Sequence, residues 1–360
     1  MIDTKTAIEE ITNGEFDNLF TDIYIDSSMI DYQKKRYVHA IEQYETIFCP
    51  DKVAIFSAPG RSEVCGNHTD HQHGMVLATS INLDTIAVSA KNNNDVVRFV
   101  SDGYDMITLN INDLEVNDDE AGTTVSLIRG VLRGLKDHGY KIGGFNAYAT
   151  SDVLVGAGLS SSAAFEVVVG TIISGLYNDM KINSVEIAQI SQYAENVFFK
   201  KPCGLMDQMA CSVGGMVNID FKDPTKPIVK KVPTEFEKYD YSLCIVDTKG
   251  DHVDLTDDYA MIPSEMKKVA NFLGEDYLRD CDSNEFYIRL DEIREAVGDR
   301  PVLRAIHFLM RSIMLKMPFL HLKTVSLLNS LMQSENPVIH RLSIFRMYIQ
   351  QEIFNIRTSR

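Results

Sequence analysis

Apolar positions in the first fifty residues recur at helical spacing: Tyr32, Tyr37, Ile41, Tyr44 and Ile47 fall along one helix face. This predicts a helical cap over residues 1–50. From Lys52 the period changes. The runs VAIFSAPG, DTIAVSA, DVVRFVS and ITLNIND are short, rich in β-branched residues and separated by glycine, asparagine and aspartate, which predicts the strands and turns of a sheet. A helix is expected over residues 126–139, where Leu127, Val131 and Leu135 align and a glycine closes the segment. FNAYATSDV reads as another strand, entering a glycine- and serine-rich loop at Gly156. Residues 161–177 then read as a buried helix, and residues 184–199 as an amphipathic helix capped by Ser184. GGMVNIDF and SLCIVDT return to strand character. No internal repeat or low-complexity linker divides the chain, and the boundary between its halves is placed near residue 230.

Length and charge narrow what such a chain can be. Its 360 residues leave room for two domains. An apolar share of 45% and a charged share of 24% exclude disorder, collagen and coiled coil. A formal charge of -16 argues against nucleic acid as a partner, since a phosphate backbone needs a basic face. The most apolar stretch, residues 153–176, is interrupted by Ser160, Ser161, Ser162 and Glu166, so no membrane span is expected. The N-terminus lacks the basic start and apolar core of a secretory signal, which points to the cytoplasm. Cys49, Cys65, Cys203, Cys211, Cys244 and Cys281 form no Cys-x-x-Cys pair and read as reduced thiols.

Three segments carry chemistry. In VLVGAGLSSSAAFE, residues 153–166, Gly156 and Gly158 allow a tight backbone, and Ser160, Ser161 and Ser162 open a helix whose free amides suit phosphate. A glycine turn with serines as a helix cap fits the same letters. In SAPGRSEVCGNHTDHQHG, residues 57–74, Arg61, His68, Asp70, His71 and His73 crowd one glycine-bounded stretch after a strand. That pattern suits a small polar ligand, a metal held by the three histidines, or a solvated loop. In AENVFFKKPCGLMDQMACSVGG, residues 194–215, Glu195 stands near a helix end and Asp207 among Leu205, Met206 and Met209. An aspartate in apolar company needs a partner, and Arg61 is the candidate, whether for structure or for catalysis.

Taken in order, these three segments resemble the first signature, the phosphate loop and the catalytic-aspartate segment of the galactokinases, members of the GHMP small-molecule kinase superfamily. The likeness spans roughly residues 50–310. It implies an α/β (α+β) two-domain fold: a mixed sheet flanked by helices over residues 1–230, and a ferredoxin-like C-terminal domain over residues 231–360. It also implies transfer of the ATP γ-phosphoryl group to D-galactose, giving galactose 1-phosphate, as in the Leloir pathway of galactose catabolism. A catalytically silent sugar- and ATP-binding relative, or a kinase for a related sugar, is the alternative. By resemblance, Asp207 and Arg61 are catalytic, and Asn67, His68, Asp70, Gly204 and Tyr259 hold the sugar. Gly156, Ala157, Gly158, Leu159, Ser160, Ser161 and Ser162 bind ATP, while Ser162 and Glu195 bind magnesium. The expected partners are the sugar and ATP alone, with no nucleic acid and no membrane, on a monomer.

Two departures from the family pattern stand out. The family's Gly-Glu-His-Thr-Asp reads Gly66-Asn67-His68-Thr69-Asp70 here, which removes a charge from the sugar signature. The C-terminal part also lacks the family's third glycine-rich motif: no glycine follows Gly298. Residues 1–300 hold 49 acidic and 27 basic side chains, whereas residues 301–360 hold 2 and 8, with no aspartate. This break near Phe308 suggests either a shifted reading frame, which would leave the second domain incomplete and the protein marginally stable, or a naturally divergent helical tail.

Overall fold

The structure, a computed structural model, describes residues 1–49, 52–154, 156–233 and 256–316. Strands β1 (Ile2–Asp3), β2 (Lys52–Cys65), β3 (Met75–Lys91), β4 (Val96–Ser101), β5 (Ile107–Asn110), β6 (Phe145–Ser151), β7 (Met216–Asp220) and β8 (Ile228–Lys231) form one eight-stranded sheet. The order is β1-β2-β3-β6-β4-β5, and β7 pairs with the first part of β3 and with β8. Only the β4–β6 pair is parallel among these, so the sheet is mixed. The expected strand SLCIVDT lies outside the described residues, as does much of the chain needed for a ferredoxin-like sheet.

Alternation along the central strands sorts side chains to the two faces. Ile86, Val88 and Ala90 of β3 and Tyr148 of β6 meet the N-terminal helices α1 (Thr4–Asn13), α2 (Asp17–Tyr24) and α3 (Ile30–Phe48), through Phe20, Tyr24, Tyr37, Ile41 and Tyr44. The expected cap is present and covers this face. Ala87, Ala147 and Ala149 point the other way, with Phe56 and Ala58 of β2, onto α4 (Thr124–Asp137) and α5 (Ser161–Tyr177). The small residues on that side let the helices sit close to the sheet.

The cap is also tied down by a buried polar cluster. Arg36 of α3 donates to Asp84 Oδ1 at 2.6 Å and, through Nη2, to the carbonyls of Asp84 and Thr150. Tyr24 and Ser57 both donate to Asp84 Oδ2, at 2.9 and 2.5 Å. Arg36 also pairs with Asp152 at 3.1 Å, and Tyr32 donates to the same carboxylate. Thr150 and Asp152 belong to the end of β6 and its exit, where the chain enters the glycine- and serine-rich loop.

The helix expected over residues 184–199 ends sooner. Helix α6 covers Ser184–Tyr193, and its N-cap is Asn183, whose side chain accepts the Val185 amide, rather than Ser184. Ala194–Phe198 then form a π turn, the kind of single-turn bulge that often accompanies function. After α7 (Met206–Val213) and β7–β8 come α8 (Thr256–Phe272), α9 (Ser283–Ile288), α10 (Leu290–Val297) and α11 (Asp299–Lys316), which share their own apolar cluster around Val269, Phe286, Ile293 and Phe308. Helix α11 runs through Phe308, the position of the break in composition, and buries Leu315 against Leu77 of β3 and Met216 of β7. No helix among the described residues is long and apolar enough to cross a membrane.

Candidate functional site

The site begins on β2. Irregularities of pairing between Pro59 and Arg61 and between Glu63 and Cys65 bend the strand on either side of Arg61, as bulges do where a side chain is re-aimed. The Arg61 amide donates to the Leu159 carbonyl at 3.1 Å, joining the strand to the glycine- and serine-rich loop. Gly60 makes this approach possible, since a Cβ there would lie 2.9 Å from the same oxygen. The buried guanidinium then forks: Nε and Nη2 reach the two Asp207 oxygens at 2.8 Å each, and Nη1 reaches the Gly158 carbonyl at 2.6 Å.

Asp207 occupies the first turn of α7, where the helix dipole favours an anion. Ser160 Oγ donates to its Oδ2 at 2.5 Å. Burial resists ionisation of this carboxyl, but the Arg61 charge and hydrogen bonds, with His68 and Ser160, outweigh it and hold Asp207 below the usual aspartate range. Its side chain remains 27% exposed. The loop beside it has Gly156 at φ +78°, Gly158 at φ +72° and Ser160 at φ +60°. Ser160 makes no capping bond to α5 because its hydroxyl is turned to Asp207. The first amides of α5, at Ser161 and Ser162, therefore have no side-chain cap, which suits an anion.

On the other side of Asp207, Asn67 and His68 are both left-handed and exposed, and Asp70 follows on a short 3-10 turn, Thr69–Gln72. Asp70 is buried, and its Oδ2 accepts the Met206 amide at 3.0 Å. Its Oδ1 is buried with no hydrogen-bond partner. Gly204 leaves room for that carboxylate: a Cβ would fall 1.8 Å from Asp70 Oδ2. Of the other histidines, His73 stacks on Tyr277 with ring centroids 3.7 Å apart. Among the described residues no metal-binding group of three or more His, Cys, Asp or Glu side chains is gathered. Tyr259 belongs to α8, with its side chain outside those described.

Ser162 and Glu195 meet, with Oγ donating to Oε1 at 3.2 Å. Glu195 sits in the π turn, buried, paired with Lys201 at 2.8 Å and hydrogen-bonded by Gln208 at 2.7 Å. Gln208 also reaches Glu166, fully buried in α5, whose carboxyl is pushed well above the usual range by burial first and the Glu195 charge second. The sequence reading missed Glu166, Gln208 and Lys201. Its available signal was a lone carboxylate on an otherwise apolar helix. The structure joins Arg61 to Asp207, sets Asp70 on the neighbouring Met206 amide against Gly204 with His68 near both carboxylates, and brings Ser162 against Glu195.

Two known family patterns match parts of the chain. The model for the GHMP kinases N-terminal domain matches residues 126–215, and the galactokinase galactose-binding signature matches residues 42–91. A crystal structure of Lactococcus lactis galactokinase complexed with galactose superposes with a TM-score of 0.65 at 22% identity, covering 79% of this chain and 74% of that one. The fold is therefore that of the GHMP kinases. Galactokinase from Streptomyces coelicolor is 30% identical over 270 residues, 74% of this chain and 67% of the relative. That from Pyrococcus furiosus is 37% identical over 173 residues, 48% of this chain and 47% of the relative. The chain belongs to the galactokinase family.

Proposed function

We propose that this protein transfers the γ-phosphoryl group of ATP to the anomeric hydroxyl of galactose. The observation that carries the reading is the Arg61–Asp207 pair, held at 2.8 Å between an uncapped helix start and a turn rich in polar side chains, with Asp207 still open to a ligand. ATP phosphates would lie on the amides of Gly156, Ala157, Gly158, Leu159, Ser160, Ser161 and Ser162. The sugar would rest against Asn67, His68, Asp70, Gly204 and, from α8, Tyr259. As the sugar oxygen bonds to the γ-phosphorus and the β–γ bridging bond breaks to release ADP, the hydroxyl proton passes to Asp207, and Arg61 offsets the negative charge on the oxygen. The depressed carboxyl makes Asp207 a weak base, so orienting the hydroxyl is the larger part of its work.

Ser162 and Glu195 present two hard oxygens side by side, of the kind magnesium takes together with phosphates and water, and the ion would displace the Lys201 ammonium that holds Glu195 Oε1. When bound, the ion would neutralise phosphate charge. Phosphoryl transfer asks mostly for such positioning and charge compensation. In this reading residues 1–230 form the nucleotide- and sugar-binding domain, and residues 231–360 the second domain.

The test mixes the full chain with magnesium, ATP and galactose and follows the products by phosphorus NMR beside Asp207→Asn. A galactose phosphate from the unaltered chain and not from the variant is expected. Galactose binding without any sugar phosphate would mark a silent relative.

A further inference from the structure

Two residues beyond Arg61, β2 carries a second charged side chain on the same face. Strand residues two apart share a face, and pairing is unbroken between them: Arg61 lies opposite Ser80, Ser62 opposite Thr79 and Glu63 opposite Ala78. The Glu63 carboxylate turns back onto the left-handed Asn67–His68 bend. Both its oxygens accept the His68 amide at 3.1 Å. It lies so close over Gly66 that a Cβ there would stand 2.7 Å from Oε1.

The charges that act on Glu63 are those of the site itself. Burial raises its carboxyl, His68 and Arg61 draw it down, and Asp70 pushes it up. Asn67 is neutral and exposed, so it brings no charge to this corner. Glu63 and Asp70 do, and they approach the loop from different directions: one from the strand, the other from the turn after His68. A single amide does not saturate a carboxylate, whose two oxygens offer about four acceptor sites. Asp70 Oδ1 stands unpartnered close by, 4.0 Å from His68 Nδ1. The two carboxylates and the imidazole make a cluster suited to reading hydroxyl donors.

We propose that Glu63 is a specificity-determining residue of the sugar pocket, accepting a hydrogen bond from one ring hydroxyl of the substrate. This rests on the galactokinase reading of the same site. Its substrate class is a hexose with a free hydroxyl at the corner shared by Glu63, His68 and Asp70.

Affinities for galactose and its 2-, 3-, 4- and 6-deoxy analogues, measured by calorimetry on the full chain and on Glu63→Gln, test this. Glutamine keeps a carbonyl for the His68 amide. In the unaltered chain, removal of one particular hydroxyl should weaken binding by about ten- to a hundredfold, the range for a hydrogen bond to a charged group. In Glu63→Gln the same deletion should cost about three- to tenfold, since neutral bonds are roughly half as strong. A residue that only shapes the loop would weaken every sugar by one common factor, and that result, or no change at all, overturns the proposal. Binding is read apart from turnover, so failure of the kinase reading shows separately as missing phosphate transfer. If Glu63→Gln does not fold, Glu63→Asp replaces it. The shortened carboxylate should likewise reduce the cost of deleting that one hydroxyl, and an equal loss for every sugar overturns the proposal.

Discussion

Two arginine–aspartate pairs tie helices α3 and α7 to β3 and β2, and they are built to opposite ends. Arg36 and Asp84 are sealed: their side chains are 5% and 3% exposed, and Tyr24, Ser57 and two carbonyls occupy most of what the charges offer. Arg61 and Asp207 are equally well forked, but Asp207 keeps 27% of its side chain exposed, with only Ser160 added. The sealed pair offers a ligand no exposed acceptor. The open one does, and its position between the α5 amides and Asp70 turns a structural motif into a candidate for chemistry.

The same substitution in each pair separates the two roles most sharply. Asp207→Asn should lower turnover by about 10²–10⁴, the usual worth of a positioned acid–base group, with only a modest loss of melting temperature because asparagine still accepts from Arg61. Asp84→Asn should do the reverse. Weakening a buried charge pair costs about 3 kcal/mol, read by denaturant unfolding, while the KM for galactose stays near that of the unaltered protein. If both variants lose the same property, the distinction between the pairs fails.

Smaller effects refine the picture. Gly204→Ala would place a methyl group against Asp70 Oδ2 and force that carboxylate off the Met206 amide. A hydrogen bond to a charged group is worth about 1.5–3 kcal/mol, so galactose KM should rise at least about tenfold with little change in the KM for ATP. Acid gives the smallest shift. Because the folded Asp207 carboxyl lies below its ordinary value of 3.8, it adds stability above that pH and loses the contribution as pH falls through the folded value. The stability gap between the unaltered chain and Asp207→Asn should therefore narrow below about pH 4, and a gap that widened there would contradict the assigned direction.

Much of this was readable from local pattern. The glycine spacing around Gly156, the helix at residues 161–177, the partnership of Arg61 with Asp207 and the helical cap each follow from period, turn chemistry or the cost of an unpaired charge. What escaped was set by which strands became neighbours. The bond from the Arg61 amide to the Leu159 carbonyl joins segments far apart in sequence. Glu63 has meaning only once β2 is known to continue past Arg61 in register, and Gln208 links Glu166 to Glu195 only after α5 and α7 pack. The cap at Asn183 in place of Ser184 is a failure of a different kind, a choice between adjacent good capping residues that the sequence leaves nearly degenerate.

Strand β3 gives the domain its mechanical unity. At about 3.3 Å per residue its 17 residues reach roughly 55 Å. Its first five residues hold β7, its last seven hold β6, and β2 runs along its other edge. A load or a local opening at either end is thus shared along one beam that carries Asp84 and the end of the loop holding His68 and Asp70 together. The amides at the middle of β3 should exchange with solvent only when the whole domain opens, so the cap and the site would melt as one body.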